Sequence, residues 1–460
     1  MKETDATTSA MSRRSLLMKG SGLFLGAMLL RPPPSLAADA EAAPAAAPER
    51  AVTAIVIGAG NRGNVYAGYA RRVPAAMKIV GVAEPVKERN DNMANAHNIP
   101  EANRFTTWED VFKKEKFADA VIVTTPDDLH YGPAMAALEK GYDVLLEKPI
   151  AQTWQQCQDI LDLATKNKRI VAVCHVLRYA PYYMQIKKVI ASGELGDIVS
   201  IQHMEPVGNI HYSHSYVRGN WGNVKKSTPM ILAKSCHDLD ILNWWTGKKC
   251  TAVNSFGSTM LFKSDKAPEG ATDRCLDGCP LVDTCGYSAP RIYVKEKRFG
   301  TEHLLAGKPK TDANIMAALK DGPYGRCVFH CDNDQVDHQT VNLQYEGGTT
   351  AAFSMEGLTS YAGRRTRIMG TKGDLVGDED ILTVYNFDAC KGYKWNVREH
   401  ATDLGGHGGG DQRLAADFAR AVLKRDASLL SSTLQVSMDS HRMGFAAEKS
   451  RLAGGELVKL

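Results

Sequence analysis

The sequence predicts an α/β protein in two parts, a doubly wound parallel sheet followed by a longer, strand-rich region. Two observations predict it. Apolar, strand-like runs alternate with helix-compatible stretches from Ala51 to His175, the pattern of a parallel sheet with helices on both faces. After His175 the β-compatible runs continue, mostly bounded by glycine-containing turns, but the strand–helix alternation stops.

The first strand is the key to the chain. Six of the seven residues from Ala51 to Ile57 are Ala, Val or Ile, as expected of a strand buried on both faces. Gly58-Ala59-Gly60-Asn61-Arg62-Gly63 follows and fits G-x-G-x-x-G. Gly58 suits a tight turn, Gly60 a close backbone approach to a pyrophosphate, and Gly63 the packing of a helix on its strand. The helix opening there directs unpaired N–H groups and a positive dipole end at phosphate. A second run, Ile79–Ala83, ends in Glu84, twenty-one residues after Gly63. A carboxylate there accepts from a ribose diol and repels a 2′-phosphate, which favours NAD over NADP.

Lys87–His97 and the stretch opening at Trp108 read as helices, and Ala118–Pro126 as the next buried strand. A helix over Pro133–Lys140, a strand over Asp143–Leu146, a helix near Thr153–Asn167 and a strand over Ile170–Cys174 complete the first part. In the second part Ile198–Met204, Ala252–Phe256, Gln339–Tyr345, Thr349–Met355 and Arg365–Met369 are strand candidates, and Gly347-Gly348 reads as a hairpin turn. Gln412–Leu423 and Met438–Leu452 are helix-like.

The chain resembles the Gfo/Idh/MocA oxidoreductases, which include glucose–fructose oxidoreductase and inositol dehydrogenases. The resemblance is carried by GAGNRG, by TTPDDLHYGPAMAALEKGYDVLLEKPI, by HVLRYAP at 175–181 and by GELGDIVSI at 193–201. SCHDLDIL at 235–242, VDHQTVNLQYEGG at 336–348 and IMGTKGDLVGD at 368–378 extend it. It implies an NAD-binding Rossmann domain over 51–175, then an α/β domain over 176–460 with a large open antiparallel sheet. In the family that sheet serves as substrate floor and subunit interface, so a homo-oligomer is expected. The cofactor-binding set becomes Gly58, Gly60, Asn61, Arg62, Gly63, Glu84, Thr125, Pro126, His130, Glu147 and Lys148.

Oxidation of a carbinol needs a base for the hydroxyl proton and positive charge for the developing alkoxide. Lys148, in the Glu147-Lys148-Pro149 triplet at a strand's carboxyl end, is placed for this. In the family's dehydrogenases a helix start further on supplies an Asp and, four residues later, a His. Here His237 is retained but the Asp position is Ala233, with Lys234 beside it as an electrostatic substitute. A histidine without a carboxylate to orient it is a poorer base. Arg178, Tyr179, His211, Tyr212, His407 and Asp411 are candidates for contacting substrate, although solvated polar loops account for the tyrosine- and histidine-rich segment equally well. The resulting expectation is an NAD-dependent oxidoreductase acting on a secondary alcohol of a sugar, cyclitol or glycoside. A glycoside hydrolase working by oxidation, elimination, hydration and reduction is the alternative on the same fold. A non-catalytic sugar or nucleotide sensor is the third.

Five of the ten cysteines cluster, as Cys275-x3-Cys279-x5-Cys285 and Cys327-x3-Cys331, in a loop-rich insertion over about 265–331 that the family pattern lacks. Zinc or an iron–sulfur cluster on Cys275, Cys279, Cys285 and Cys327, a pair of disulfides, or free thiols each fit this spacing.

Hydrophobic residues make up 44% and charged residues 23%, ordinary globular values, and a net charge of +4 with no basic, aromatic-laced patch gives no reason to expect nucleic acid. Residues 1–37 read as a signal peptide. Ser12-Arg13-Arg14-Ser15-Leu16-Leu17 resembles the twin-arginine motif, Gly20–Leu30 is too short to span a bilayer, and Ser35-Leu36-Ala37 is a cleavage site. Residues 38–50 form an Ala/Pro linker. Export to the periplasm through the twin-arginine translocase is therefore expected, with cofactor already inside the folded protein, and no membrane span.

Overall fold

The computed structural model describes residues 50–460, which fall within one compact unit. The expected signal peptide, and the linker up to residue 49, lie outside the described residues.

The first sheet has six parallel strands: β1 (Val52–Ile57), β2 (Met77–Ala83), β3 (Arg104–Phe105), β4 (Ala120–Val123), β5 (Asp143–Leu146) and β6 (Val171–Val173). Their order is β3-β2-β1-β4-β5-β6, so the chain reverses its winding at β1 and β4, where such sheets open a ligand crevice at their carboxyl ends. Alternation along β1 explains its apolar run. Val52, Ala54 and Val56 join the core on one face, while Ile55 and Ile57 join the core on the other. The expected helices appear at Lys87–His97, Tyr131–Glu139 and Trp154–Lys166. The last of these opens on a capping box made by Thr153 and Gln156.

The second sheet has nine strands: β7 (Ile198–Pro206), β8 (Cys250–Ser258), β9 (His338–Tyr345), β10 (Thr350–Glu356), β11 (Arg365–Gly370), β12 (Gly373–Gly377), β13 (Ile381–Asn386), β14 (Lys391–Asn396) and β15 (Val458–Lys459). It runs β14-β13-β12-β11-β7-β10-β9-β8-β15. The expectation of an antiparallel sheet needs one correction: β7 and β10 pair in parallel, Thr350 to Ser200 through Glu356 to Pro206, which makes the sheet mixed. β12, β13 and β14 were not foreseen, because they are runs of only five or six residues, two of them interrupted by glycine and polar residues. In β9 and β10 buried and exposed residues alternate, so one face is packed and the other open.

The chain's end returns to the first sheet. Helix Gly405–Lys424 lays Leu414, Ala415, Phe418 and Val422 into the same core as Val52 and Ala54. Full burial of Phe418 contributes about 1.5–3 kcal/mol. Helix Leu434–Leu452 bridges the parts, with Leu434 and Met438 in the first domain's core and Met443 and Ala447 in the second's. Helices from residue 405 onward thus pack on both sheets, and residues 51–175 do not complete their own outer layer.

Candidate active site

The glycine turn fits a nucleotide. Gly58 has φ +93°, and a Cβ there would stand 2.6 Å from Thr124 O. A Cβ on Gly63 would stand 2.2 Å from Gly58 O, so both positions require glycine. At Gly60 a Cβ would meet nothing within 4 Å, leaving bare backbone facing open space. Helix Asn61–Arg72 has no side-chain cap and no acid in its first turn, so its N-terminal N–H groups are available to an anion. Glu84 is buried and accepts from Ala59 N–H at 2.8 Å and Val86 N–H at 3.0 Å, with lone pairs left for a diol.

Other expected cofactor contacts turn inward. Arg62 donates to Glu147 at 2.5 Å, to Asp411 at 2.7 Å and to the Tyr66 hydroxyl at 2.5 Å, so its guanidinium engages three protein acceptors. Glu147 is buried and accepts from Arg62, from Tyr66 at 3.0 Å and from Lys148 N–H at 2.9 Å. His130 is buried with one ring nitrogen 2.6 Å from Pro149 O and the other 3.0 Å from Thr125 O, which ties the turn after β4 to the EKP triplet. Hydrogen bonds within the protein thus fix all three side chains in place. Thr125 and Pro126 remain at its edge, the Thr125 hydroxyl donating to Leu129 O at 2.9 Å.

Lys148 follows β5 and donates from Nζ to Ala233 O at 2.7 Å. That bond bridges the domains and places an ammonium beside the segment that leads into helix Cys236–Thr246. His237, on the first turn of this helix, is buried, and its Nδ1 has no hydrogen-bond partner. Burial, with the charge of Lys148 next, holds His237 well below the ordinary imidazole value, so it is a neutral base. Lys234 is anchored by Glu205 at 3.1 Å. Glu205 in turn meets Arg364 at 2.8 Å, and Arg364 meets Asp238 at 2.5 Å.

The missing Asp at position 233 has a counterpart elsewhere. Residues 406–409 run through left-handed backbone, with φ +48° at Gly406, +44° at His407, +64° at Gly408 and +87° at Gly409. The turn brings the His407 ring centroid 5.8 Å from that of His237, with His407 Nδ1 3.1 Å from the Asp411 carboxylate. A carboxylate-oriented imidazole therefore stands beside the unoriented one. Asp411 is buried, and although burial alone would raise it, His407 and Arg62 hold it well below the usual carboxylate range.

His211 reaches the same region. Burial, then Lys234 and Lys148, push it down to about 3. The remaining substrate candidates are corrected. Arg178 is buried in a bidentate pair with Asp240 at 2.7 and 2.8 Å, and the Tyr179 hydroxyl lies 3.0 Å from Ser432 Oγ. Tyr212 is fully buried, stacks on Phe262 and donates to Gln335 O at 3.0 Å. All three are structural. Asp127 was overlooked: it is buried and raised by that burial, and accepts from Trp221 Nε1 at 3.0 Å and Thr228 at 3.2 Å. Its position just after the TTP element was the available signal.

All ten cysteines are free thiols, which corrects the disulfide alternative. Among the described residues no three His, Cys, Asp or Glu side chains are placed to hold one metal ion, so a single zinc is not supported.

Two family descriptions match. "Oxidoreductase family, NAD-binding Rossmann fold" covers residues 52–175, and "Oxidoreductase family, C-terminal alpha/beta domain" covers 187–451. The chain belongs to the Gfo/Idh/MocA family. It is an NAD-binding oxidoreductase by that membership, and the open backbone at Gly60 and the uncapped helix behind it fit the cofactor. Among relatives, the putative oxidoreductase YteT of Bacillus subtilis is 27% identical over 316 residues, 65% of this chain and 72% of that protein. Inositol 2-dehydrogenase of Salmonella typhimurium is 27% identical over 191 residues, 41% of this chain. The chain spans 53% of that enzyme's length. An inositol dehydrogenase homolog from Azotobacter vinelandii, solved with NAD+, superposes with TM-score 0.65 at 15% identity, covering 90% of this chain and 98% of that one. Aldose-aldose oxidoreductase from Caulobacter crescentus, solved with glycerol, superposes with TM-score 0.61 at 16% identity over 89% of this chain and 100% of that one. These superpositions establish the shared fold. Among the described residues no helix is long and apolar enough to cross a membrane.

Proposed function

We propose that this family member is a dehydrogenase that removes a hydride from a secondary alcohol of a sugar or cyclitol. The observation that carries the reading is the pairing of a cation, Lys148 on Ala233 O, with His237, whose buried Nδ1 lacks a partner. The names of the relatives, inositol 2-dehydrogenase above all, support the same substrate class.

Bound NAD supplies the hydride acceptor. Gly60 and the helix opening at Asn61 would hold its pyrophosphate, and Glu84 its adenosine ribose. The chain's own groups handle the proton. His237, neutral because it is buried beside Lys148, accepts the hydroxyl proton, and the Lys148 ammonium stabilises the alkoxide left behind. His407, oriented by Asp411, stands beside His237 and passes the proton outward from a half-exposed position. His211, kept neutral, lines the alcohol's polar surroundings.

The test is incubation of the purified protein with a panel of C–H-deuterated cyclitols and aldoses, followed by mass spectrometry of released nucleotide. Deuterium on the nicotinamide ring supports the reading. Nucleotide without deuterium from any alcohol, together with cleavage of a chromogenic glycoside, would replace it with the hydrolase.

Export and self-association belong to the same reading. The Arg13-Arg14 pair supports the twin-arginine route, and an Arg13→Lys/Arg14→Lys variant is expected to stay in the cytoplasm. The open face of the second sheet, with Val199, Phe256 and Tyr385 exposed, supports a homo-oligomer, which native mass spectrometry reads directly.

A further inference from the structure

The cysteine-rich insertion forms a small unit of its own. Its core is Ala289, Ile292, Tyr293, Leu305, Ile315 and Leu319 with Tyr324, too few residues to order some sixty by apolar burial alone. What else holds it is visible around one cavity. Cys275, Cys279, Cys285 and Cys327 line that cavity together, walled by Val282 and Phe329. Cys275 and Cys327 flank an antiparallel bridge between Arg274 and Arg326, with Cys275 N–H on Gly325 O at 3.0 Å and Cys327 N–H on Asp273 O at 2.8 Å. Two tight turns, Val282 N–H to Cys279 O at 3.2 Å and Cys285 N–H to Leu281 O at 2.8 Å, fold Cys285 back toward Cys279.

The polar groups around these sulfurs are arranged for negative charge. Ala289 N–H points at Cys275 Sγ, and Tyr287 N–H at Cys285 Sγ, each at 3.4 Å. Arg218 is 1% exposed and also lines the cavity. Its Nε donates to Arg326 O at 2.7 Å and its Nη2 to Tyr287 O at 2.6 Å, with Cys275 Sγ 3.8 Å away. Nη1 has no partner, and among the described residues no carboxylate pairs with this cation. A buried guanidinium without an anion is costly, so the cavity calls for negative charge.

A single zinc ion, with bonds of about 2.3 Å, needs four sulfurs about 3.8 Å apart, and no such close set is present. A cluster bonds each thiolate to a different iron, so its ligands stand farther apart around a shared centre. We propose that Cys275, Cys279, Cys285 and Cys327 ligate an iron–sulfur cluster of the [4Fe–4S] type, with Arg218 as its counter-charge. The cluster is delivered assembled. Four thiols release four protons as four S–Fe bonds form, and no atom changes oxidation state.

The cluster's role is structural. The insertion packs on the stretch that carries His211: the His214 ring lies 4.3 Å from that of Phe299 and 4.5 Å from that of Tyr324, and its Nδ1 is 2.7 Å from the Tyr293 hydroxyl. It also reaches the first domain, where Asn92 donates to Gly307 O at 3.1 Å. Cys331, whose thiol donates to Cys327 O at 3.2 Å, does not line the cavity and is not a ligand.

The experiment is anaerobic purification of the full chain, followed by iron and acid-labile sulfide analysis, visible absorbance and intact mass. About four irons and about four sulfides per chain, with a charge-transfer band that bleaches on reduction, are expected. Cys279→Ala/Cys285→Ala should lose the band, and Cys390→Ala, at an exposed site away from the cavity, should keep it. If the double variant does not fold, the metal analysis of the unaltered protein decides alone. Zinc without iron, a mass reduced by the hydrogens of disulfides, or iron-free protein that takes up no cluster from supplied iron and sulfide would each overturn the assignment.

Discussion

Two glycine-rich segments meet at the cleft, and they put glycine to different ends. In Gly58–Gly63 the demand is steric: a Cβ at Gly58 or Gly63 would collide with backbone at 2.6 and 2.2 Å, while at Gly60 the space is open. In Gly405–Asp411 the same steric demand holds at Gly409 and Gly410, where a Cβ would meet backbone oxygen at 2.2 and 2.1 Å, and a conformational demand is added. Four consecutive residues take positive φ, and His407 adopts it without being glycine. The first segment makes a general anion cradle out of backbone, and the second aims two particular side chains, His407 and Asp411. Arg62 of the first joins Asp411 of the second at 2.7 Å, so the cradle and the catalytic wall share one ion pair.

Breaking that join gives the largest expected effect. Arg62→Met leaves Asp411 and Glu147, both buried, without their cation, and should cost about 3–5 kcal/mol in urea unfolding. The same pair sets an acid response. Asp411 lies below its unfolded value of 3.8 in the fold, so it adds stability above pH 3.8 that is lost as pH falls below that value. Asp411→Asn should therefore flatten the acid limb of a stability–pH curve, and an unchanged limb would remove Asp411 from the account.

Gly58→Ala comes next, at about 3 kcal/mol, since φ +93° is strained for alanine and the Cβ strikes Thr124 O. Nucleotide retention should fall with it. Gly408→Ala sharpens the contrast: φ is +64°, but the new Cβ would meet only Ala180 Cβ at 3.7 Å, so about 1 kcal/mol is expected in the same assay. Equal costs at the two positions would mean that the Cβ collision at Gly58 adds nothing to the strain of a positive φ.

The comparison also explains what could be read before the structure. β1, the glycine turn and Glu84 were legible because a common ligand fixes their spacing along one continuous stretch. Lys148 was legible for the same reason, at the carboxyl end of a buried strand. The Glu205–Arg364–Asp238 network was not, since its members come from β7, the turn before β11 and helix Cys236–Thr246 and meet only after the second sheet forms. Arg178 and Tyr212 misled because a polar residue in a cleft-lining segment and one satisfied in the core have the same local sequence. Arg178 finds Asp240 sixty-two residues away, and Tyr212 finds Gln335. The role of the last helices as an outer layer of the first domain was hidden too, because apolar spacing shows that a helix is buried and not against which sheet.

The most direct test of the central claim is a single-turnover comparison of wild type with Lys148→Ala, loaded with NAD and an alcohol that the deuterium assay identifies. Formation of reduced nicotinamide should slow at least about 10²-fold in the variant, the loss typical of removing one transition-state donor, while bound nucleotide is retained. Hydride transfer at the wild-type rate from a Lys148→Ala protein that keeps its nucleotide would contradict it.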